Sequence, residues 1–218
     1  METLGEAQAP DGTTITLTRH DREFLILVDG KPLMSSRMHG SEQALATFGC
    51  RHVPADEPRV MVGGLGMGFT LRAALDLLPP DAQVVVAELV PAIVEWNLGP
   101  LGPLAGHPLK DPRVRIEVRD AFDMLRENAA AFDAILMDVD NGPAAFTAAG
   151  NASLYADAGL AAARDALRPG GVLAVWSAWE DRKFEQRLKY NGFRVSVERV
   201  RARLKKGGPR HVIFLGRL

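Results

Sequence analysis

From Pro58 onward one pattern recurs: a short apolar run rich in valine and isoleucine, then a helix-forming segment. The runs are "RVMVGG", "QVVVAEL", "VRIEVRD", "FDAILMDV" and "GGVLAVWSA". "TLRAALDLL", "PAIVEWNL" and "AFDMLRENA" follow the first three, and segments 157–167 and 181–190 flank the last. Runs this short suit buried strands, and two parallel neighbours need a crossover that a helix supplies. The pattern predicts an α/β chain with a doubly wound, mostly parallel sheet. The last two runs, "FRVSVERVRA" and "HVIFLGRL", are joined by "RLKKGGPR", which is too short for a crossover. They predict an antiparallel C-terminal edge strand closing a seven-stranded sheet. Ahead of this core, "TTITLTRHD" and "REFLILVDGKPLMSS", the latter broken at Asp29-Gly30, read as a short N-terminal β-hairpin or meander. The expected division is a small strand unit at 1–40 and the α/β domain at 41–218, opened by a helix that starts at Ser41 and stops at Gly49.

Composition narrows the function classes. The 27 acidic and 26 basic residues of this 218-residue chain nearly cancel, so nucleic acid is not an expected partner. One alternation, Arg199, Arg201 and Arg203 with Lys205, Lys206 and Arg210 beyond, is locally basic. Val200, Ala202 and Leu204 fill the positions between, so the pattern reads as the solvated face of a strand. The single cysteine, Cys50, fits a reducing compartment. No run approaches the roughly 20 apolar residues of a membrane span. "METLGEAQAPDGTT" lacks the basic start and apolar core of a signal peptide, so a cytoplasmic protein without membrane contact is expected. The five histidines show no metal-ligand spacing, and no metal is expected.

The turn after the first run, "VGGLGMGF", holds four glycines within six positions, 63–68. In a doubly wound sheet the first strand-to-helix turn borders the ligand crevice, and glycine lets a ligand approach the backbone. A dinucleotide fingerprint needs glycine at position 69, which is Phe69. The spacing of Gly64, Gly66 and Gly68 suits instead a nucleoside whose tail carries no phosphate. Three later strands end on acids. Glu88 is placed to accept hydrogen bonds from a ribose. Asp120, followed by the small Ala121, is placed to reach an adenine, although it also stands where a helix cap would. Asp138 ends "FDAILMD".

With these motifs the chain resembles the spermidine synthases, within the Rossmann-like S-adenosylmethionine-dependent transferases. "LILVDGKPLMSS", "SEQALA", "GGLGMGFTLRAAL", "VVVAELVPAIVE", "DPRVRIEVRDAFDML" and "LRPGGVLAVW" carry the likeness. The resemblance implies that Gly64, Gly66, Met67 and Gly68 back the nucleoside tail. It implies that Glu88 with Leu89 holds the ribose, and that Asp120 with Ala121 receives the adenine. Asp138 matches the family's catalytic aspartate, which takes a proton from the attacking amine, with Asp140 as a neighbouring carboxylate. Glu42, Asn141, Tyr155 and Trp179 fall at acceptor-side positions. The resemblance also suggests a homodimer.

Three departures bear on the reaction. Met67 stands where spermidine synthases have an aspartate beside the amino end of decarboxylated S-adenosylmethionine. "GSE" stands for Tyr-His-Glu, so of that trio only Glu42 is kept. Asn141 stands for the second aspartate of D-x-x-D-P. A dication needs carboxylates to offset its desolvation, and a neutral Met67 leaves room for the carboxylate of ordinary S-adenosylmethionine. The expectation is therefore methyl transfer to a small acceptor, such as an amine, with S-adenosylmethionine as the bound cofactor. Aminopropyl transfer from the decarboxylated form to make a polyamine is the alternative, and a catalytically silent adenosyl-binding module is the third reading.

Overall fold

The structure, a computed structural model, describes residues 1–139, 153–203 and 207–218. The strands there form two sheets. β1 (Glu2–Gln8), β2 (Thr14–His20), β3 (Glu23–Val28) and β4 (Lys31–Ser35) make an antiparallel meander in chain order. The expected hairpin is thus four strands long. β3 pairs with β4 across the two-residue turn Asp29-Gly30, both residues at positive φ, as a tight hairpin twisting with its strands requires. The added strand, β1, comes from the polar start, where no apolar alternation betrays it.

The second sheet contains β5 (Arg59–Gly63), β6 (Gln83–Glu88), β7 (Val114–Val118), β8 (Phe132–Met137), β9 (Leu167–Ser177), β10 (Arg194–Arg201) and β11 (Arg210–Arg217), in the order β10-β11-β9-β8-β5-β6-β7. β5 to β9 are parallel to one another; β11 is antiparallel to both β9 and β10. The antiparallel C-terminal strand therefore lies one place inside the edge, which β10 occupies. The α-helical crossover from β9 to β10 leaves room for one strand, and the short connection folds β11 back into it.

The helices are α1 (Gly40–Cys50), α2 (Phe69–Leu77), α3 (Pro91–Leu98), α4 (Ala121–Glu127), α5 (Asp157–Ala166) and α6 (Arg182–Tyr190). Because strand side chains alternate, Val60, Val62, Leu136 and Ala174 pack with α1, α2 and α3 on one face. Met61, Ile135, Met137, Leu173 and Val175 pack with α4, α5 and α6 on the other. The meander joins the first of these cores through Ile15, Leu17 and Ile26. No helix among the described residues is long and apolar enough to cross a membrane.

Strand order reverses between β5 and β8, so their carboxyl ends open a crevice there. The meander stands over it.

Candidate functional site

The glycine turn shapes the crevice. Gly64 has φ +87°, and a Cβ there would lie 2.4 Å from the carbonyl oxygen of Asp138. The Asp138 amide in turn donates to the Gly63 carbonyl at 2.8 Å. The turn and the end of β8 thus meet backbone to backbone. Over Gly66 lies the Met34 methyl from β4, 2.9 Å from where a Cβ would be. Gly68, at φ +80°, caps α2.

A cavity of about 660 Å³ lies between the carboxyl ends of the parallel strands and the meander. Gly64, Gly66, Glu88, Leu89, Asp120 and Ala121 line it, together with Asp138 and Glu42. Ile15, Ile26, Val28, Leu33 and Met34 of the meander give it an apolar wall. The Glu88 carboxylate accepts the amides of Leu65 and Val90, each at 2.9 Å. A carboxylate has about four acceptor positions, so it keeps capacity for a ribose. Burial pushes the Glu88 carboxyl upward, and these amides partly offset the push. Asp120 caps α4 through one oxygen, which accepts from Phe122 N at 2.6 Å. Cap and cavity-lining roles coexist in this side chain.

At the other end of the cavity two carboxylates share one environment. Thr70, on the first turn of α2, donates its hydroxyl to Asp138 Oδ2 at 2.6 Å. Ser41 donates its hydroxyl to Glu42 Oε2 at 2.6 Å, and its oxygen lies 2.9 Å from His211 Nδ1 on β11. Burial raises the carboxyl of Glu42 well above its usual range, and the nearby Asp138 charge raises it further. Asp138 is also raised by burial, with the Thr70 bond pulling the other way. Both carboxyls are thus raised, Glu42 further than Asp138, and a pair separated in this way can hold one member ionised and the other protonated.

Several residues singled out in the sequence lie elsewhere. Met67 is 2% exposed, packs in the core beneath the turn and does not line the cavity; neither does Gly68. Tyr155 is buried, with its hydroxyl donating to the Val139 carbonyl at 3.1 Å, next to Asp138 rather than on the cavity wall. Trp179 is 56% exposed and off the lining. Asp140 and Asn141 lie outside the described residues. Arg199 and Arg201 are exposed, with Arg199 paired to Glu180, while Val200 and Ala202 turn inward. Among the described residues no group of three or more metal-ligating side chains forms a site.

Sequence reading missed Thr70, His211 and the meander wall as parts of the site. Thr70 follows the last glycine of the turn by two positions, where a helix's first turn faces the crevice; that spacing was the available signal. Ile26 and Val28 lie in the continuous apolar run "FLILV", which does not tell one face of the strand from the other. His211 had none, because its contact with Ser41 spans 170 residues.

The profile of the spermine/spermidine synthase domain matches residues 39–195, most of the chain. The chain belongs to this family. A polyamine aminopropyltransferase of Mycobacterium tuberculosis is 34% identical over 119 residues, 53% of this chain and 22% of that protein. A polyamine aminopropyltransferase of Leptospira biflexa is 27% identical over 176 residues, 80% of this chain and 53% of that protein. The family member described here thus spans about half the length of the second relative and about a fifth of the first. Among solved structures, spermidine synthase from Thermotoga maritima superposes with a TM-score of 0.78 at 18% identity, covering 99% of this chain and 72% of that one. A spermidine synthase in complex with the transition-state analogue AdoDATO gives 0.75, also at 18% identity, over the same shares of the two chains.

These likenesses favour the aminopropyl reading, and methyl transfer finds no support in them. The methyl-transfer expectation rested on the acceptor-side departures at Gly40, Ser41 and Asn141 and on Met67 facing the nucleoside tail. Its side chain faces the core, so its neutrality says little about that tail.

Proposed function

We propose that this synthase-family chain transfers an aminopropyl group from decarboxylated S-adenosylmethionine to an amine of the polyamine class. The observation that carries the reading is the placement of Asp138 in one cavity with Glu88, Leu89, Asp120 and Ala121. The names of the relatives point the same way.

The residues present fit the nucleoside. Glu88 and Asp120 offer acceptors to ribose hydroxyls and to an adenine amino group, Ala121 leaves space, and Gly64 and Gly66 expose backbone. The nucleoside supplies a sulfonium whose propyl carbon is open to displacement. An ammonium has no lone pair, so the acceptor must first lose a proton. Asp138 accepts it; the freed nitrogen pair forms the new C–N bond, and the C–S pair passes to sulfur, which becomes neutral. One proton is released per turnover. Thr70 holds the carboxylate in place, and the meander wall keeps water from competing as nucleophile. Alignment supplies most of the remaining rate. Glu42 serves the acceptor side.

Titration calorimetry tests the nucleoside assignment. Decarboxylated S-adenosylmethionine and methylthioadenosine are expected to bind, the former more tightly than S-adenosylmethionine. Preference for S-adenosylmethionine would restore methyl transfer; binding of none would remove the transferase reading.

A further inference from the structure

Each turnover of the reaction proposed above frees one proton beside Asp138, on the cavity wall. Glu42 and His211 line the same cavity as Asp138, and the buried Ser41 joins the two behind its wall. Glu42 is 8% exposed, Ser41 is fully buried and His211 is partly exposed. The separations are 2.6 Å from Glu42 Oε2 to Ser41 Oγ and 2.9 Å from Ser41 Oγ to His211 Nδ1. The edge of Trp176 packs on the imidazole at a centroid distance of 4.7 Å and holds the ring in place. Gly40 makes the approach possible: its amide donates to the Ala202 carbonyl at 2.8 Å, and a Cβ there would lie 3.0 Å from the Arg201 carbonyl oxygen. The β10–β11 hairpin is thereby seated on the start of α1.

Resting on the aminopropyl-transfer reading, we propose that Glu42, Ser41 and His211 form a relay that carries the reaction proton from the part of the cavity shared by Asp138 and Glu42 to the partly exposed His211, which passes it to solvent. A serine hydroxyl has one hydrogen, which allows two arrangements on the same heavy atoms. With Glu42 ionised, Ser41 donates to Glu42 and His211 Nδ1–H donates to Ser41. With Glu42 protonated, Glu42 donates to Ser41, Ser41 donates to Nδ1, and the ring hydrogen sits on Nε2. Passing from the second to the first shifts a proton along each link and releases the Nε2 proton. No bond other than O–H and N–H is made or broken; once Glu42 takes up the next proton, the ring resets by exchanging its hydrogen from Nδ1 to Nε2 with solvent, so one proton leaves for each one that Glu42 takes up.

The other charged groups near the ring do not interrupt this path. Val200, which pairs with His211, shares its face of the sheet, so Arg199, Arg201 and Arg210 point to the opposite face. Within the cavity the groups to consider are Asp138, Asp11, Glu88, Arg119 and Asp120. Burial lowers the imidazole pKa, so the ring is neutral when Glu42 changes state. His211 is a relay and positioning residue; it acts through Ser41.

Nitrogen-15 NMR of histidine-labelled protein tests the relay without turnover. The expected result is that His211 carries its hydrogen on Nε2 while Glu42 is protonated and converts to the Nδ1–H form as Glu42 ionises. Glu42→Gln is expected to fix the Nε2–H form throughout, and Ser41→Ala to uncouple the ring from Glu42. In turnover, Ser41→Ala and His211→Gln should each lower kcat about tenfold to a hundredfold, with the nucleoside KM unchanged. Added imidazole should restore part of the rate to His211→Ala. A ring that keeps one tautomer while Glu42 titrates overturns the relay, as does an unchanged kcat in Ser41→Ala. If the tautomer switches but the wild type transfers no aminopropyl group, the relay stands and the proposed reaction falls.

Discussion

The α-carbon of Gly64 and the carbonyl of Asp138 are so close that a single added methyl group would lie 2.4 Å from the carbonyl oxygen. The conformation of the glycine turn thus sets the position of the acid at the end of β8. Gly64→Ala is expected to displace that acid and, at φ +87°, to strain the turn itself. Steady-state kinetics should show kcat falling by about a hundredfold for a displacement near 1 Å. A variant with wild-type kcat would show that Asp138 does not depend on this contact.

Thr70 offers a subtler handle on the same carboxylate. Its hydroxyl bonds Asp138 at 2.6 Å and favours the ionised form. Thr70→Val removes the donor and keeps the shape, so the Asp138 carboxyl should rise further. The acid limb of the kcat/KM profile should then move to higher pH, with the nucleoside Kd unchanged. A limb that stays in place would remove Thr70 from the proton chemistry.

Glu42 makes stability depend on pH. Its folded-state carboxyl is raised from 4.5 to about 8, so the folded chain holds this proton more tightly than the unfolded chain does. The contribution is full below pH 4.5 and is lost as pH rises through about 8. Chemical denaturation of the wild type should lose stability on the order of a few kcal/mol over that interval. Glu42→Gln, which cannot ionise, should flatten the slope. An equally steep slope in the variant would place its origin in other groups.

Much of this arrangement was legible in the chain itself. The alternation of runs and helices specified the wound sheet, because a buried parallel strand and its crossover each leave a characteristic length and period. Strand-terminal Glu88, Asp120 and Asp138 were legible for the same reason: the carboxyl ends of successive parallel strands lie along one edge. Side-chain direction within the glycine turn was not. Met67 sits between Gly66 and Gly68, and only the turn's dihedral angles decide that it enters the core. The contact of His211 with Ser41 depends on β11 being inserted inside β10, which the local sequence of β11 does not encode. β1 was hidden because an exposed edge strand of a small meander needs little apolar alternation.

The most direct measurement is turnover itself: incubate the protein with decarboxylated S-adenosylmethionine and the diamine putrescine, and quantify both products by mass spectrometry. Methylthioadenosine and the aminopropylated amine are expected in equal amounts, with Asp138→Asn lowering the rate by about a hundredfold or more while nucleoside binding persists. Methylthioadenosine without an aminopropylated amine, or full activity in Asp138→Asn, would contradict aminopropyl transfer with Asp138 as its proton acceptor.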